Sequence, residues 1–450
     1  MGLSETAGLP EEEKTNLEDE MRIRTVTLAL AAATILVLSM GGTALALHSG
    51  GVAHCDACHT MHNSLGGTTM TTNAGATRFN GLATLLKGSD PSSTCLNCHG
   101  SGTTLSSYHV YTPGMTTAIT SPVPAQRTPG GDFSWMKYAT GDTTGQNRGH
   151  NILAADYGFT TGDSRFPALS PGGEYPSAAF YCTSCHDPHG KFRILDDGTV
   201  SDGVTNSAPI KASGSYADNT GAVREPLEAG LAVGSYRLLG GVGYTNSSGF
   251  TFTQTVPAAL APSTYNASDN AVGSFVIDQV RVAYGSGMSE WCANCHASIH
   301  NDNYPGTKRH PTGASAELGT IIAGNYNSYV KTADLSGSIA SSFLNLVPFE
   351  TGAGQDTTGR NAMAALVISA QGPTGTANVS CLTCHRAHAS GFGSMMRWAS
   401  NEEMVVEGGE WTAPGNGWEQ AGVNAAYYER PASQFATFQR GLCNKCHVKD

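Results

Sequence analysis

The sequence predicts a loop-rich chain with a few short α-helices, minimal β structure and an interior built mainly by bound groups. Its 450 residues include 55 glycines and only 14% charged residues. Runs with helical or strand periodicity are rare, which argues against ordinary globular domains. Because ordering a chain costs about 1–2 kcal/mol per residue in backbone entropy, something besides apolar side chains must compensate. All twelve cysteines lie in one repeated pattern, which identifies the compensating groups.

Only three helices and one hairpin are predicted. Leu318, Ile321 and Ile322 recur at helical spacing, and Pro348 follows a second segment of helical pattern. The predicted elements are helices at 316–331, at 338–346 and from Ala432 into the last cysteine motif, and a hairpin of 235–243 with 249–256. The remainder is predicted to be loop.

Every cysteine belongs to one of six Cys-x-x-Cys-His motifs, the attachment pattern of c-type haem. Two thiols one helical turn apart reach the two vinyl groups of one porphyrin, and the following histidine lies beneath the iron as its proximal ligand. The chain is therefore predicted to be a multihaem c-type cytochrome wrapped around six covalently attached haem c groups. The motifs are Cys55-Cys58-His59, Cys95-Cys98-His99, Cys182-Cys185-His186, Cys292-Cys295-His296, Cys381-Cys384-His385 and Cys443-Cys446-His447.

Zinc binding and disulfide bonding are the alternatives for a cysteine-rich chain. Two Cys-x-x-Cys pairs build a zinc ribbon, and secreted scaffolds use many disulfides. Neither explains a histidine directly after every second cysteine, nor the confinement of all cysteines to this unit. Haem is the favoured interpretation.

Nine further histidines are available for the second axial positions of six irons, enough for six bis-histidine haems. His62, His189 and His388 each follow a proximal histidine by three residues, and His300 follows one by four. At this spacing both imidazoles leave the same helical face, and the local porphyrin separates the second imidazole from its own iron. We expect these four histidines to bind the iron of a neighbouring haem.

Three more histidines, His109, His150 and His310, lie in loops whose glycines or prolines allow approach to a porphyrin face. We expect them to be distal ligands as well, and His48 and His54 to be surplus. Methionine ligation is the competing option and would raise the reduction potential. Two histidines on each iron leave no open position, so electron transfer is favoured over haem catalysis and no catalytic residue is predicted.

The N-terminal region has the order of a secretory signal. Two arginines precede an apolar run at 26–38, and a small-residue triplet follows at 44–46. An uncleaved membrane anchor is the alternative. The predicted organisation is a mis-assigned extension at 1–20, a signal peptide at 21–46 with translation starting at Met21, and a hexahaem domain at 47–450.

The net charge is −11, and residues 47–450 carry −7 because the first 46 residues contain three basic and seven acidic side chains. This acidic balance argues against nucleic acid as a partner. No cysteine is left for a lipid anchor. The mature protein is therefore expected to be soluble or held by protein contacts.

Six stretches of the sequence resemble the outer-membrane cytochrome S family, hexahaem c-type cytochromes that polymerise into extracellular filaments in metal-reducing bacteria. The stretches are LHSGGVA at 47–53, CHTMHNSLGG at 58–67, CTSCHDPHG at 182–190, GMSEWCANCH at 287–296, AHASGF at 387–392 and CNKCH at 443–447. They run in order along the whole predicted mature chain. Divergence is concentrated in three loops, near 102–130, 201–230 and 352–378.

The resemblance implies one continuous stack of six bis-histidine haems, alternating parallel and T-shaped pairs. It also implies that His62 binds the fifth haem, held by Cys381, Cys384 and His385, of an adjacent subunit. The expected assembly is a head-to-tail conductive filament at the cell surface, passing electrons to other cytochromes, metal oxides or electrodes. A monomeric periplasmic electron carrier is the alternative function, and a multihaem reductase is disfavoured by the expected coordination.

Overall fold

The computed structural model describes most of the chain between residues 86 and 447 and a few earlier residues. The chain divides into two units, Met1–Ala46 and Leu47–Asp450, and all described residues belong to the second. The predicted extension, signal peptide and cleavage site lie outside them. The described residues are 58–59, 64–65, 68–69, 86–100, 109–114, 123–138, 145–160, 168–188, 193–195, 216–217, 232–234, 239–262, 281–299, 310–344, 346–354, 356–367, 369–415 and 417–447.

Short helices are the main regular elements, and three of the α-helices carry cysteine motifs. The longest has only 11 residues, so loops connect every element. The α-helices are α1 Pro91–His99, α2 Met288–Cys292, α3 Gly319–Ser328, α4 Thr357–Val367, α5 Cys381–Cys384 and α6 Gln420–Ala426. The 3-10 turns are Phe133–Lys137, Gly145–Arg148, Ala155–Tyr157, Ser177–Ala179, Cys182–Ser184, Ile339–Ser341, Gly393–Met395, Ala432–Gln434 and Leu442–Lys445.

The strands of the described part are short and form four small sheets. They are β1 Ser64–Leu65, β2 Thr68–Thr69, β3 Arg193–Leu195, β4 Tyr216–Ala217, β5 Ala232–Gly234, β6 Ala259–Pro262, β7 Ala283–Tyr284, β8 Met404–Glu407, β9 Glu410–Trp411 and β10 Gln439–Arg440. The sheet nearest the C-terminus has β8 at its centre, antiparallel to both β9 and β10. β6 pairs in parallel with β4 and antiparallel with β7, while β1–β2 and β3–β5 are antiparallel pairs.

The predicted helix at 316–331 is confirmed by α3, but the other two predicted helices are wrong. At 338–346 only one 3-10 turn forms, because Gly372 N donates to Ile339 O and Phe343 N donates to Ala370 O. These bonds hold the segment against a distant loop. After Ala432 the chain forms two 3-10 turns separated by β10, which pairs with β8. In both places tertiary pairing overrides the helical pattern.

The predicted hairpin is confirmed only near its turn. Gly243 N donates to Phe252 O, Phe252 N donates to Tyr244 O, and Gly249 N closes the turn on Asn246 O. No named strand forms from these residues, and 235–238 lie outside the described part.

Among the described residues, the largest apolar cluster is rich in aromatic side chains and includes Trp135, Tyr138, Phe392 and the stacked pair Trp411–Tyr427. The ring centroids of that pair lie 3.8 Å apart and the ring planes are 7° from parallel, a closely stacked contact. The loop-rich fold class is confirmed. The prediction of an interior built mainly by bound groups underestimated the contribution of these aromatic side chains to the core. They are scattered singly along the sequence and form no apolar run. Within the described ranges no helix is long and apolar enough to cross a bilayer.

Candidate haem-attachment sites

Each described cysteine motif beyond the first forms a single tight turn. The backbone N–H of the motif histidine donates to the carbonyl of the first cysteine, and the second motif lies within α1. This turn places both thiols on one side of the backbone, which attachment to one porphyrin requires. The N–O distances are 3.0 Å for His186, 3.1 Å for His296, 2.9 Å for His385 and 3.0 Å for His447. Cys55 of the first motif lies outside the described residues.

The described cysteines give no support to the zinc or disulfide alternatives. All eleven are free of disulfides, and no three His, Cys, Asp or Glu side chains come together as a metal cluster in the part of the chain that the structure describes. Burial raises the pKa of both Cys295 and Cys384 to about 12. Both thiols therefore lie in apolar surroundings.

Cysteines of successive motifs lie close to one another in chain order. Their side chains interact electrostatically at every junction between one motif and the next. The interacting pairs are Cys58–Cys98, Cys95–Cys182, Cys185–Cys295, Cys292–Cys381 and Cys384–Cys443. The six attachment turns therefore follow one another in space as they do in the sequence.

Three candidate distal histidines face proximal histidines of other motifs. The ring centroids are 6.2 Å apart for His388 and His186, 6.2 Å for His150 and His296, and 6.1 Å for His310 and His447. A metal–imidazole nitrogen bond is about 2.0–2.1 Å long, so imidazoles on opposite sides of one ion have centroids about 6 Å apart. The three pairs fit an iron held between them.

Backbone carbonyls orient several of these imidazoles. Nδ1 lies 2.6 Å from Ala387 O in His150, 2.7 Å from Pro171 O in His296 and 2.8 Å from Ser394 O in His385. A carbonyl only accepts, so Nδ1 carries the proton and the Nε2 lone pair is left for a metal. Haem iron uses this tautomer.

Burial keeps the distal imidazoles neutral. It lowers the pKa of His150 to about 4 and that of His388 to about 3, so both are ready to bind a metal at neutral pH. His388 stacks on Phe133 at 4.8 Å, and His150 stacks on Phe180 at 5.2 Å. These two phenylalanines were not singled out from the sequence, although Phe180 stands two residues before the third motif.

A glycine allows the close approach of His388 to the loop beneath it. His388 N donates to Gly130 O at 2.7 Å. A Cβ on residue 130 would lie 2.6 Å from His388 Nδ1, closer than van der Waals contact permits, so only glycine fits at this position.

The structure describes only one of the remaining predicted ligands. His109 lies next to His99: Val110 N donates to His99 O, and burial, followed by the charge of His99, lowers the pKa of His109. Three predicted distal ligands, and the two surplus histidines, lie outside the described residues: His62, His189, His300, His48 and His54. Their roles stay predictions.

Comparison with known proteins finds close similarity to one cytochrome. The chain is 44% identical to the C-type cytochrome OmcS of Geobacter sulfurreducens, covering 94% of this chain and 99% of that protein. It resembles the solved outer membrane cytochrome S filament of the same organism, with a TM-score of 0.75 and 45% identity over 90% of this chain and 100% of that one. A cryo-EM structure of OmcS nanowires gives 0.74 and 43% with the same coverage. No family model matches.

Proposed function

Because the chain belongs to the OmcS family of c-type cytochromes, we propose that it transfers electrons outside the cell through six haems in a filament of identical subunits. Haem c is the cofactor of this family and supplies reversible one-electron chemistry at its iron. The observation that carries the proposal is the set of imidazole pairs about 6 Å apart along attachment turns that follow in chain order.

The chain's own residues would hold four of the six irons on both sides. We assign His388 to the iron of His186, His150 to that of His296 and His310 to that of His447, with His109 as the partner of His99. Two imidazoles on an iron would exclude water and substrates from the metal, so the residues favour electron transfer over catalysis.

The joint between subunits is proposed to be a shared iron. Among the described residues, no histidine ring faces His385 at the spacing of the other pairs, whereas His385 Nδ1 is oriented by Ser394 O like a metal ligand. The family resemblance assigns this position to His62 of the partner subunit. A coordination bond across a head-to-tail contact extends into an open fibre.

An apolar segment beside the sixth motif supports contact with a second copy of this chain. Lys445, within the sixth motif, donates a hydrogen bond from Nζ to Tyr329 O at 3.0 Å. This bond places the start of the segment 330–341 beside the last attachment turn. Ile321 is 78% exposed and Leu335 is 54% exposed, and the segment 330–341 carries only one lysine and one aspartate. We propose that these exposed apolar side chains are covered by the second copy.

Both solved structures that resemble this chain are assemblies of the same relative, one named as an outer membrane cytochrome filament and the other as nanowires. We infer that this chain is likewise exported and works at the cell surface. The proposed partners are other copies of itself, other cytochromes, and metal oxides or electrodes that accept the electrons.

Electron microscopy of the purified, secreted holoprotein tests this function. Filaments are expected for the wild type. His62→Ala should keep six haems, lose or shorten filaments, and leave one haem per subunit without its second histidine in electron paramagnetic resonance. A monomeric wild type would instead support the periplasmic carrier, and normal filaments from His62→Ala would contradict the shared iron.

A matched pair of variants tests the apolar segment. Leu335→Asp should weaken assembly without loss of haem, because it places a charge in the contact. Val242→Asp is the control, since Val242 is similarly exposed at 59% but lies far along the chain from the sixth motif. Equal assembly by the two variants would remove this segment from the joint.

A further inference from the structure

A buried serine joins the second motif to the third. Ser92 stands three residues before Cys95 in the first turn of α1, and its side chain is fully buried. Its Oγ accepts a hydrogen bond from Cys182 N at 3.0 Å. Cys182 is the first cysteine of the next motif, so the bond runs directly from one attachment turn to another.

The same arrangement joins the fourth motif to the fifth. Ser289 stands three residues before Cys292, also in the first turn of the helix that carries the motif, and is 1% exposed. Its Oγ accepts a hydrogen bond from Cys381 N at 3.1 Å. The position of the serine, its burial and its donor all correspond to those of Ser92.

The receiving turns are also built alike. Tyr181 N donates to Ser184 Oγ at 2.9 Å, and Ser380 N donates to Thr383 Oγ1 at 2.9 Å. In both motifs the residue before the first cysteine is thus bonded to the hydroxyl two residues after that cysteine. Each receiving turn is closed on itself and presents its cysteine N–H to the serine.

These bonds lie where the cysteine side chains of two motifs meet. Cys95 and Cys182 are within hydrogen-bonding reach of each other, and so are Cys292 and Cys381. Each sulfur belongs to a different attachment turn. A hydrogen bond of fixed length at this point therefore limits how far two neighbouring turns can move apart.

We propose that Ser92 and Ser289 are equivalent positioning residues that hold the second and third, and the fourth and fifth, attachment turns at a fixed separation. The inference rests on the proposed function, because electron tunnelling between neighbouring groups falls exponentially with their separation. A buried N–H needs a partner, so loss of the serine hydroxyl forces the receiving turn to shift. These residues act through the turns, and Ser92 also lies within hydrogen-bonding reach of the Cys182 thiol.

Alanine variants of the full-length holoprotein test the proposal. Circular dichroism in the Soret region detects coupling between neighbouring haems and depends on their separation and orientation. Ser92→Ala and Ser289→Ala should each keep six haems and bis-histidine resonance signals but lose part of the Soret couplet. The double variant should lose the sum of the two changes, since the sites are independent. Filament conductance should fall in the same order.

Ser93→Ala is the matched control. Ser93 is the neighbour of Ser92 on α1, is equally buried, and bonds Asp90 and Asp156 instead of a second motif. It should keep the wild-type couplet. A wild-type couplet in both test variants, or an equal loss in Ser93→Ala, would overturn the proposal.

Threonine variants keep the test decisive if an alanine variant fails to mature. Ser92→Thr and Ser289→Thr retain the accepting Oγ and should mature with the wild-type couplet. Loss of the couplet in both would also overturn the positioning role. A wild-type protein with fewer than six haems, or with no couplet, would instead refute the proposed function.

Discussion

The junction between motifs two and three and the junction between motifs four and five share a serine bridge but begin their helices differently. At α1 the preceding residue supplies the cap: Asp90 accepts bonds from Ser93 N at 2.8 Å and from Ala155 N at 2.7 Å. At α2 the preceding residue is Gly287, with φ at +91° and no side-chain cap. Glu350, 62 positions away, accepts the bond from Met288 N at 2.8 Å instead.

The difference shows that one structural task is solved locally at one junction and through tertiary contact at the other. Asp90 followed by Pro91 is a helix-start signal in the sequence itself. Glu350 must be brought in by the fold and buried, and burial raises its pKa to about 7. The second junction is therefore expected to be sensitive to pH.

The largest expected effect comes from the histidines that tie the two junctions together. His388, beyond the fifth motif, faces His186 of the third, while His150, before the third motif, faces His296 of the fourth. Replacing either with alanine should convert one haem in six to a high-spin form, because one axial ligand is lost. Electron paramagnetic resonance measures this fraction. His54→Ala is the control and should leave all six low-spin; full low-spin bis-histidine signals in His388→Ala would contradict the assigned pairing.

The second effect is a pH dependence at the fourth–fifth junction. Burial raises the pKa of Glu350 to about 7 from its ordinary value of 4.5. The protonated carboxyl therefore stabilises the folded chain fully below about pH 4.5, and this contribution to the free energy of unfolding is lost as the pH rises to about 7. The loss approaches about 3 kcal/mol. Glu350→Gln should flatten guanidinium unfolding free energies across this range. Glu410→Gln, on the exposed turn of β8–β9, should keep the wild-type slope; a retained slope in Glu350→Gln would argue against this assignment.

A smaller effect is expected at the second–third junction. Asp90→Ala removes the cap of α1 and leaves the partly buried Ala155 N–H without its acceptor. We expect the free energy of unfolding to fall by about 2 kcal/mol. Asp90→Asn should lose less, because its side-chain oxygen still caps the helix. Unfolding followed by far-ultraviolet circular dichroism compares the two. If Asp90→Ala unfolds at the wild-type denaturant concentration, the local cap contributes nothing.

The smallest effect is expected at Gly287. A Cβ there meets only Pro257 Cα at 3.6 Å, an ordinary contact, so the cost of Gly287→Ala comes from the left-handed backbone alone. We expect a loss of about 1 kcal/mol. Gly287→Asn should cost less, since asparagine tolerates this conformation. Equal stability of the alanine and glycine proteins would show that the junction relaxes to another backbone shape.

The sequence alone predicted the attachment chemistry, because Cys-x-x-Cys-His is a local pattern whose closing hydrogen bond joins its own first and last residues. It also predicted α3 from the apolar spacing of its residues, and Asp90-Pro91 marks the start of α1, which is absent from the predicted helices. The loop-rich class followed from composition. The proposed role of His62 as the ligand shared between subunits rests on the sequence, because His62 lies outside the described residues.

Only the tertiary structure decided which imidazole faces which, and which groups orient them. His150 finds its carbonyl at Ala387, 237 positions along the chain, and no local pattern encodes such a meeting. The same holds for the false helix at 338–346, where bonds to Ala370 and Gly372 replaced helical ones. Local spacing specifies how each motif turns, whereas long-range burial and hydrogen bonding specify what each turn meets.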